Sequence, residues 1–92
     1  MMEVIKKDGR REEFNIKKIR RSIASSASDC GIVLTESDLT NACNMIENTI
    51  SSGGKKETSS YEIFGVVVYK LQELKYSKVV QAYLETALST IK

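Results

Sequence analysis

The stretch Val4-Ile5-Lys6-Lys7-Asp8-Gly9-Arg10-Arg11-Glu12-Glu13-Phe14-Asn15 decides how the chain begins to fold and where its charge gathers. Asp-Gly is a favoured hairpin dipeptide because both residues accept positive φ, and the flanking runs are of strand length. A β-hairpin is therefore expected over about residues 3–14. With a two-residue loop, Lys7 faces Arg10 and Ile5 faces Glu12, while Val4, Lys6, Arg11 and Glu13 share the other face. Like charges then meet at the tip, an arrangement that costs stability and that a bound anion would relieve.

Outward from the hairpin, each segment carries its own punctuation. Asn15 is a candidate N-cap, and Ile16, Ile19, Ile23 and Ala27 keep helical spacing until Gly31 offers a stop, so a helix is expected over about residues 16–29. Thr35 and Asp38 have the spacing of a capping box. Leu39, Cys43, Ile46 and Ile50 then form one stripe before Ser51-Ser52-Gly53-Gly54, giving a second helix over about 36–51. Lys55 to Thr58 is short enough to add an edge strand. Ser59 and Glu62 again have capping-box spacing, and Phe64, Val67, Leu71 and Leu74 keep a helical period. The Val66-Val67-Val68-Tyr69 run is therefore read as part of a helix over about 60–75, although in isolation it is strand-like. A fourth helix, about 78–91, turns Val80, Tyr83, Leu84, Ala87, Leu88 and Ile91 inward. Tyr69, Tyr76 and Tyr83 recur every seventh residue but read as partly buried surface aromatics, not as a ladder for stacking bases.

The fold class that follows is α+β and mainly helical: a four-helix bundle capped by a small β-sheet built on the N-terminal hairpin. A chain of 92 residues with 41% hydrophobic positions and no proline holds one modest core, burying roughly 60–65% of its unfolded surface, so a single domain over 1–92 is expected. Cys30 and Cys43 form no CxxC pair and the chain has no histidine. Neither a zinc site nor Cys-His catalysis is expected, and no nucleophile is visibly paired with a base, so the chain reads as a non-enzyme. The N-terminus lacks a signal-peptide pattern and no 18-residue apolar run occurs. A cytoplasmic protein with no membrane contact is the expectation.

Charge is distributed unevenly. Residues 6–21 hold eight basic side chains (Lys6, Lys7, Arg10, Arg11, Lys17, Lys18, Arg20, Arg21) against Asp8, Glu12 and Glu13, a local charge of +5 in a chain whose total is +2. The first turn of the first helix contains Lys17 and Lys18, where the helix dipole favours acids. An external anion would complete such a site, and phosphate is the natural candidate. The sequence has neither a GxxxxGK[ST] nor a GxGxxG motif, so a P-loop or dinucleotide fold is not supported. Single-stranded nucleic acid usually needs aromatic platforms beside its cations, and Phe14 alone lies near this patch. A small nucleotide needs less: cations for its phosphates and a carboxylate or amide for its nucleoside, with Glu12, Asn15 and Thr58 placed to converge.

The run Val4-Ile5-Lys6-Lys7-Asp8-Gly9, with Glu12, Phe14-Asn15 and Lys18-Ile19 at fixed spacing, resembles the opening of the ATP-cone domain, whose usual form is V-x-K-R-D-G followed by F-[DN]-x-x-K-[IL]. The similarity extends over essentially the whole chain, whose expected sheet and four helices match the family's plan. The resemblance implies a non-catalytic regulatory domain that binds ATP or dATP with Mg²⁺ and controls oligomerisation or activity of a partner or parent protein, as in ribonucleotide reductase large subunits and a related transcriptional repressor. It implies that Lys6 and Lys7 approach the triphosphate, Lys7 standing where Arg is commoner and lacking its planar fork. Glu12 and Asn15 would help hold the nucleoside, Lys18 would be the next binding lysine, and Val4, Phe14 and Ile19 would supply apolar walls. Thr58 matches a contact at the entry to the third helix, and Glu62 stands there in place of a polar or basic residue.

One departure bears on affinity. The family often has Ala-Tyr-Val-Arg late in the domain, and this chain has Ala82-Tyr83-Leu84-Glu85, so a cation near the triphosphate is replaced by an acid unless Lys92 serves. A homo-oligomer or a reductase-type partner is expected beside the nucleotide, with nucleic acid not expected as the main ligand. The chain reads as a free-standing cone or as one cut from a longer protein. The alternatives are a nucleic-acid module using the same basic patch and a degenerate cone acting only through protein contacts.

Overall fold

The computed structural model describes residues 2–91, with side chains through residue 86. The chain runs β1 (Glu3–Ile5), β2 (Arg11–Glu13), α1 (Ile16–Asp29), α2 (Glu36–Ser51), a 3-10 turn (Ser52–Gly54), β3 (Glu57–Ser59), α3 (Ser60–Glu73) and α4 (Ser77–Ile91). The expected α+β architecture is thus present, mainly helical and with a small sheet.

The hairpin forms in a different register from the expected one. Ile5 faces Arg11 and Val4 faces Glu12, one residue out of step with a two-residue loop. The cause lies at the tip. A type I′ turn needs positive φ at both central residues, whereas Gly9 takes φ +88° and Asp8 does not enter the left-handed region. Lys7, Asp8 and Gly9 form a three-residue loop closed by Gly9 N–H donating to the Lys6 carbonyl at 2.9 Å and Lys6 N–H donating to the Arg10 carbonyl at 2.7 Å. Left-handed Gly9 is the residue that such a loop requires. Asp8 completes the tip, its carboxylate accepting from Arg10 N–H at 3.1 Å and Arg10 Nε at 2.7 Å. Lys6 now stands opposite Arg10, and each is paired with a carboxylate, Lys6 with Glu12 and Arg10 with Asp8. The expected repulsion between Lys7 and Arg10 at the tip does not arise.

β1 lies in the middle of the sheet. β3 adds to its free edge in parallel, with Val4 opposite Thr58. Because alternate residues share a face, Val4, Glu12 and Thr58 lie side by side on one face, where Val4 and Thr58 are 6% and 5% exposed. On the opposite face Arg11 joins the three strands by pairing with Glu3 and Glu57.

Most of the predicted helix boundaries are made by local hydrogen bonds. Asn15 Oδ1 accepts from Lys17 N–H. At the far end of α1, Ile32 N–H donates to the Ala27 carbonyl at 2.8 Å and Gly31 N–H to that of Ser28 at 3.1 Å, the paired bonds of a Schellman stop around left-handed Gly31. The Thr35 and Asp38 capping box forms in both directions. At α3 only half of the expected box is present: Ser59 Oγ accepts from Glu62 N–H, but the Glu62 carboxylate turns to Lys55 Nζ and to the Thr58 hydroxyl.

α1 packs against α2 and α4, and α3 against the same two helices, which closes the bundle. Its centre is built from Ile23, Ala27, Ala42, Ile46, Ile50, Val67, Leu71, Val79 and Val80. Val66 to Tyr69 is helical, as expected. In α4 both Val79 and Val80 are buried, Val79 in addition to the expected stripe, while Tyr83 and Leu84 pack at its margin. The expected inward positions of the Ala87, Leu88 and Ile91 side chains, and the suggested role of Lys92, lie outside the described residues. No helix among the described residues is long and apolar enough to cross a membrane.

Candidate functional site

The sheet face that carries Val4 and Glu12, the first three turns of α1, the start of α3 and the middle of α4 enclose a cleft of about 720 Å³. That is within the usual span of small-molecule sites, ~300–1,000 Å³. Of the ten residues expected at a site, eight line it: Val4, Lys6, Lys7, Glu12, Phe14, Asn15, Lys18 and Ile19. The hairpin brings Val4, Lys6 and Glu12 to one strand face, and α1 places Asn15, Lys18, Ile19 and Ser22 along one side. Thr58 and Glu62 are not part of this lining. They lie at the entry to α3, bonded to one another.

Ion pairs divide the basic cluster. Arg10 is tied to Asp8 at the hairpin tip, Arg11 to Glu3 and Glu57 on the far face of the sheet, and Arg20 to Glu36 at the start of α2. The cations left in the cleft are Lys6, Lys7, Lys18 and Arg21. Lys7 and Arg21 have no ion pair among the described residues. Lys6 Nζ lies 3.3 Å from Glu12 Oε2, and Lys18 Nζ lies 3.9 Å from the same atom. The hydrogen bond from Lys6 and its charge, then the charge of Lys18, hold the Glu12 carboxyl below its usual range.

The deeper wall is apolar and aromatic. Phe64 of α3 stacks on Tyr83 of α4, with ring centroids 5.8 Å apart, and burial pushes the Tyr83 phenol upward. Tyr83, expected on the inner side of the fourth helix and partly buried, is half-buried, and its place is in the cleft wall. Ser22, Ser25 and Ser26 extend the polar side along α1, and Tyr61 at the start of α3 stands 64% exposed beside it. Arg21, Ser22 and Ser25 follow Lys18 at three, four and seven residues, the spacing of one helix face, so the sequence held a signal for them. For Ser60, Tyr61, Ile63, Phe64, Tyr83 and Thr86 it held none, because their convergence depends on how α3 and α4 pack. Glu85 is exposed and does not line the cleft.

Cations at a helix start beside an apolar wall suit an anion joined to a flat organic group. The cleft offers ammonium and guanidinium donors to the first part and aromatic surface to the second. No group of three or more Cys, Asp or Glu able to hold a metal ion occurs among the described residues.

Residues 2–87 match the ATP cone domain. A similar curated protein is the transcriptional repressor NrdR of Lactiplantibacillus plantarum (strain ATCC BAA-793 / NCIMB 8826 / WCFS1), 37% identical over 71 residues. The match spans 77% of this chain and 40% of the repressor, so the chain corresponds to well under half of that relative.

Proposed function

The chain belongs to the ATP-cone family, a family of nucleotide-binding regulatory domains, and on that footing we propose that its cleft binds ATP or dATP and that binding regulates a parent or partner protein. The observation that carries this reading is the convergence of eight expected site residues on one cleft with four cations along it. The phosphates lie toward Lys6, Lys7 and Lys18, at the positive end of α1. Mg²⁺ arrives on the phosphates, as is usual for that ion. The nucleoside packs on Val4, Phe14 and Ile19, within reach of Asn15. Arg21, without an ion pair among the described residues and one turn beyond Lys18, supplies the charge that Glu85 does not. Thr58 and Glu62 act from behind, by fixing the chain where α3 begins and so holding Ser60 and Tyr61 at the cleft.

Regulation follows from which elements the ligand touches. The cleft draws side chains from the sheet, α1, α3 and α4, so a bound nucleotide favours one packing of these helices over others and changes the surface offered to a partner. A ribonucleotide reductase or a second copy of the chain is the kind of protein so controlled; the repressor relative is a regulator by name. No step of chemistry is assigned to the domain.

Calorimetric titration with Mg·ATP, with dATP and GTP alongside, tests the reading. Saturable binding is expected, weakened about tenfold or more in Lys18→Ala and in Arg21→Ala, the cost of a lost charge-assisted contact. Absence of saturation at millimolar nucleotide refutes it. Oligonucleotide binding with a steep salt dependence, in the same absence, would favour the nucleic-acid module instead.

A further inference from the structure

Two of the cations in the cleft already hold an anion. Glu12 Oε2 takes Lys6 Nζ at 3.3 Å and Lys18 Nζ at 3.9 Å, and all three residues line the cleft. The backbone of Glu12 is fixed opposite Val4 in the sheet, so the carboxylate can leave only by rotating its side chain. A phosphate that reached both lysines would need the same donors and the same space. Two anions at that point repel one another, so one must yield.

We infer that Glu12 is an internal competitor for the phosphate cations of this cleft, and that a ligand binds well only if it carries enough negative charge to displace the Glu12 carboxylate from Lys6 and Lys18. The inference rests on the nucleotide reading and deepens it by assigning the basis of selection among phosphates. A single phosphate can satisfy one lysine while Glu12 keeps the other. A triphosphate reaches both and also meets Lys7 and Arg21, which have no ion pair among the described residues to give up. Selection by phosphate number then needs no dedicated site for the terminal phosphate. It follows from the difference between what the ligand gains at four cations and what Glu12 loses at two. The carboxylate also keeps the empty cleft from attracting inorganic phosphate or chloride strongly, because those ions lack the charge to replace it.

The test replaces Glu12 with Gln, which keeps the size and hydrogen-bonding reach of the side chain and removes its charge. Wild type and Glu12→Gln are titrated by calorimetry with inorganic tripolyphosphate, Mg·ATP and AMP at one ionic strength, with thermal unfolding to confirm that both are folded. Glu12→Thr, a strand former, repeats the comparison. Tripolyphosphate is expected to bind the Gln variant about three- to tenfold tighter, the range for releasing two partly exposed ion pairs, and the preference for ATP over AMP is expected to shrink. Unchanged or weaker tripolyphosphate binding, with ATP still saturating the wild type, overturns the competitor role and leaves the nucleotide site standing. Tighter tripolyphosphate binding without any ATP saturation upholds the competitor and removes the nucleotide reading. If no anion binds either protein, both fall.

Discussion

Changing Asn15 to Asp should make the domain more stable and a poorer nucleotide binder at the same time. Asn15 Oδ1 caps α1 by accepting from Lys17 N–H at 3.0 Å, from an extended backbone at φ −138° and ψ 103°. The first turn of α1 contains no acid, whereas α2 begins with Glu36 and Asp38 and α3 with Glu62. Asp keeps an acceptor of the same shape and adds one negative charge at the positive end of the helix, close to Lys17 and Lys18. Surface charges so placed contribute about 0.3–1 kcal/mol. For a domain of this size that raises the melting temperature by about 2–6 °C. The same charge lies in the wall of the cleft and repels incoming phosphates. A like charge at that range costs at least about 1 kcal/mol, so Mg·ATP affinity should fall about fivefold or more. Asn15→Ala separates the two effects: losing the cap costs about 1 kcal/mol, with no added repulsion. Differential scanning calorimetry and nucleotide titration on the three proteins give both readouts, and both differences should shrink in high salt. A lower melting temperature for the Asp variant would refute the account of the helix terminus. A higher one with unchanged ATP affinity would refute the placement of phosphate beside it.

Two further expectations concern the scaffold. Gly9 takes φ +88° with nothing within 4 Å of where a Cβ would lie, so Gly9→Ala meets backbone strain alone and should cost about 1 kcal/mol; Gly9→Asn should cost less, and equal urea midpoints for the two would argue against the left-handed requirement. Bonds from Lys55, then Thr58, hold the Glu62 carboxyl below the usual 4.5. The stabilisation they give is therefore complete above that value and lost as pH falls through the lower folded pKa. Glu62→Gln should flatten the acid limb of melting temperature against pH, and parallel curves for the two proteins would count against this pair.

What was legible in the sequence was what local hydrogen bonds decide. Asn15, the Thr35 and Asp38 box, Ser59 and Gly31 each act within a few residues of themselves, so their spacing alone located the helix ends. The Glu62 half of the third cap failed because Lys55 and Thr58 compete for that carboxylate, and both reach it through the turn that brings β3 beside β1. The parallel pairing of β3 with β1 also has no local signal: its partner lies more than fifty residues away, and only a possible edge strand could be read there. The cleft divides in the same way. Its hairpin and α1 residues form one contiguous motif, whereas Phe64 and Tyr83 meet only after α3 has packed on α4.

The error in hairpin register bears directly on function, because the loop determines which side chains face the cleft. With the two-residue loop first expected, Glu12 would share a face with Ile5, and Lys6 would share one with Arg11 and Glu13. The three-residue loop shifts β2 by one position, and a shift of one exchanges the faces of a strand. It is this shift that turns Glu12 to the side of Val4 and Lys6, from which it also reaches Lys18, and turns Arg11 away to join Glu3 and Glu57. Left-handed Gly9 and the Asp8 bonds to Arg10 therefore do more than close a turn. They bring the carboxylate of Glu12 to the lysines and remove one arginine from the cleft, which sets the balance of charge that a nucleotide has to meet.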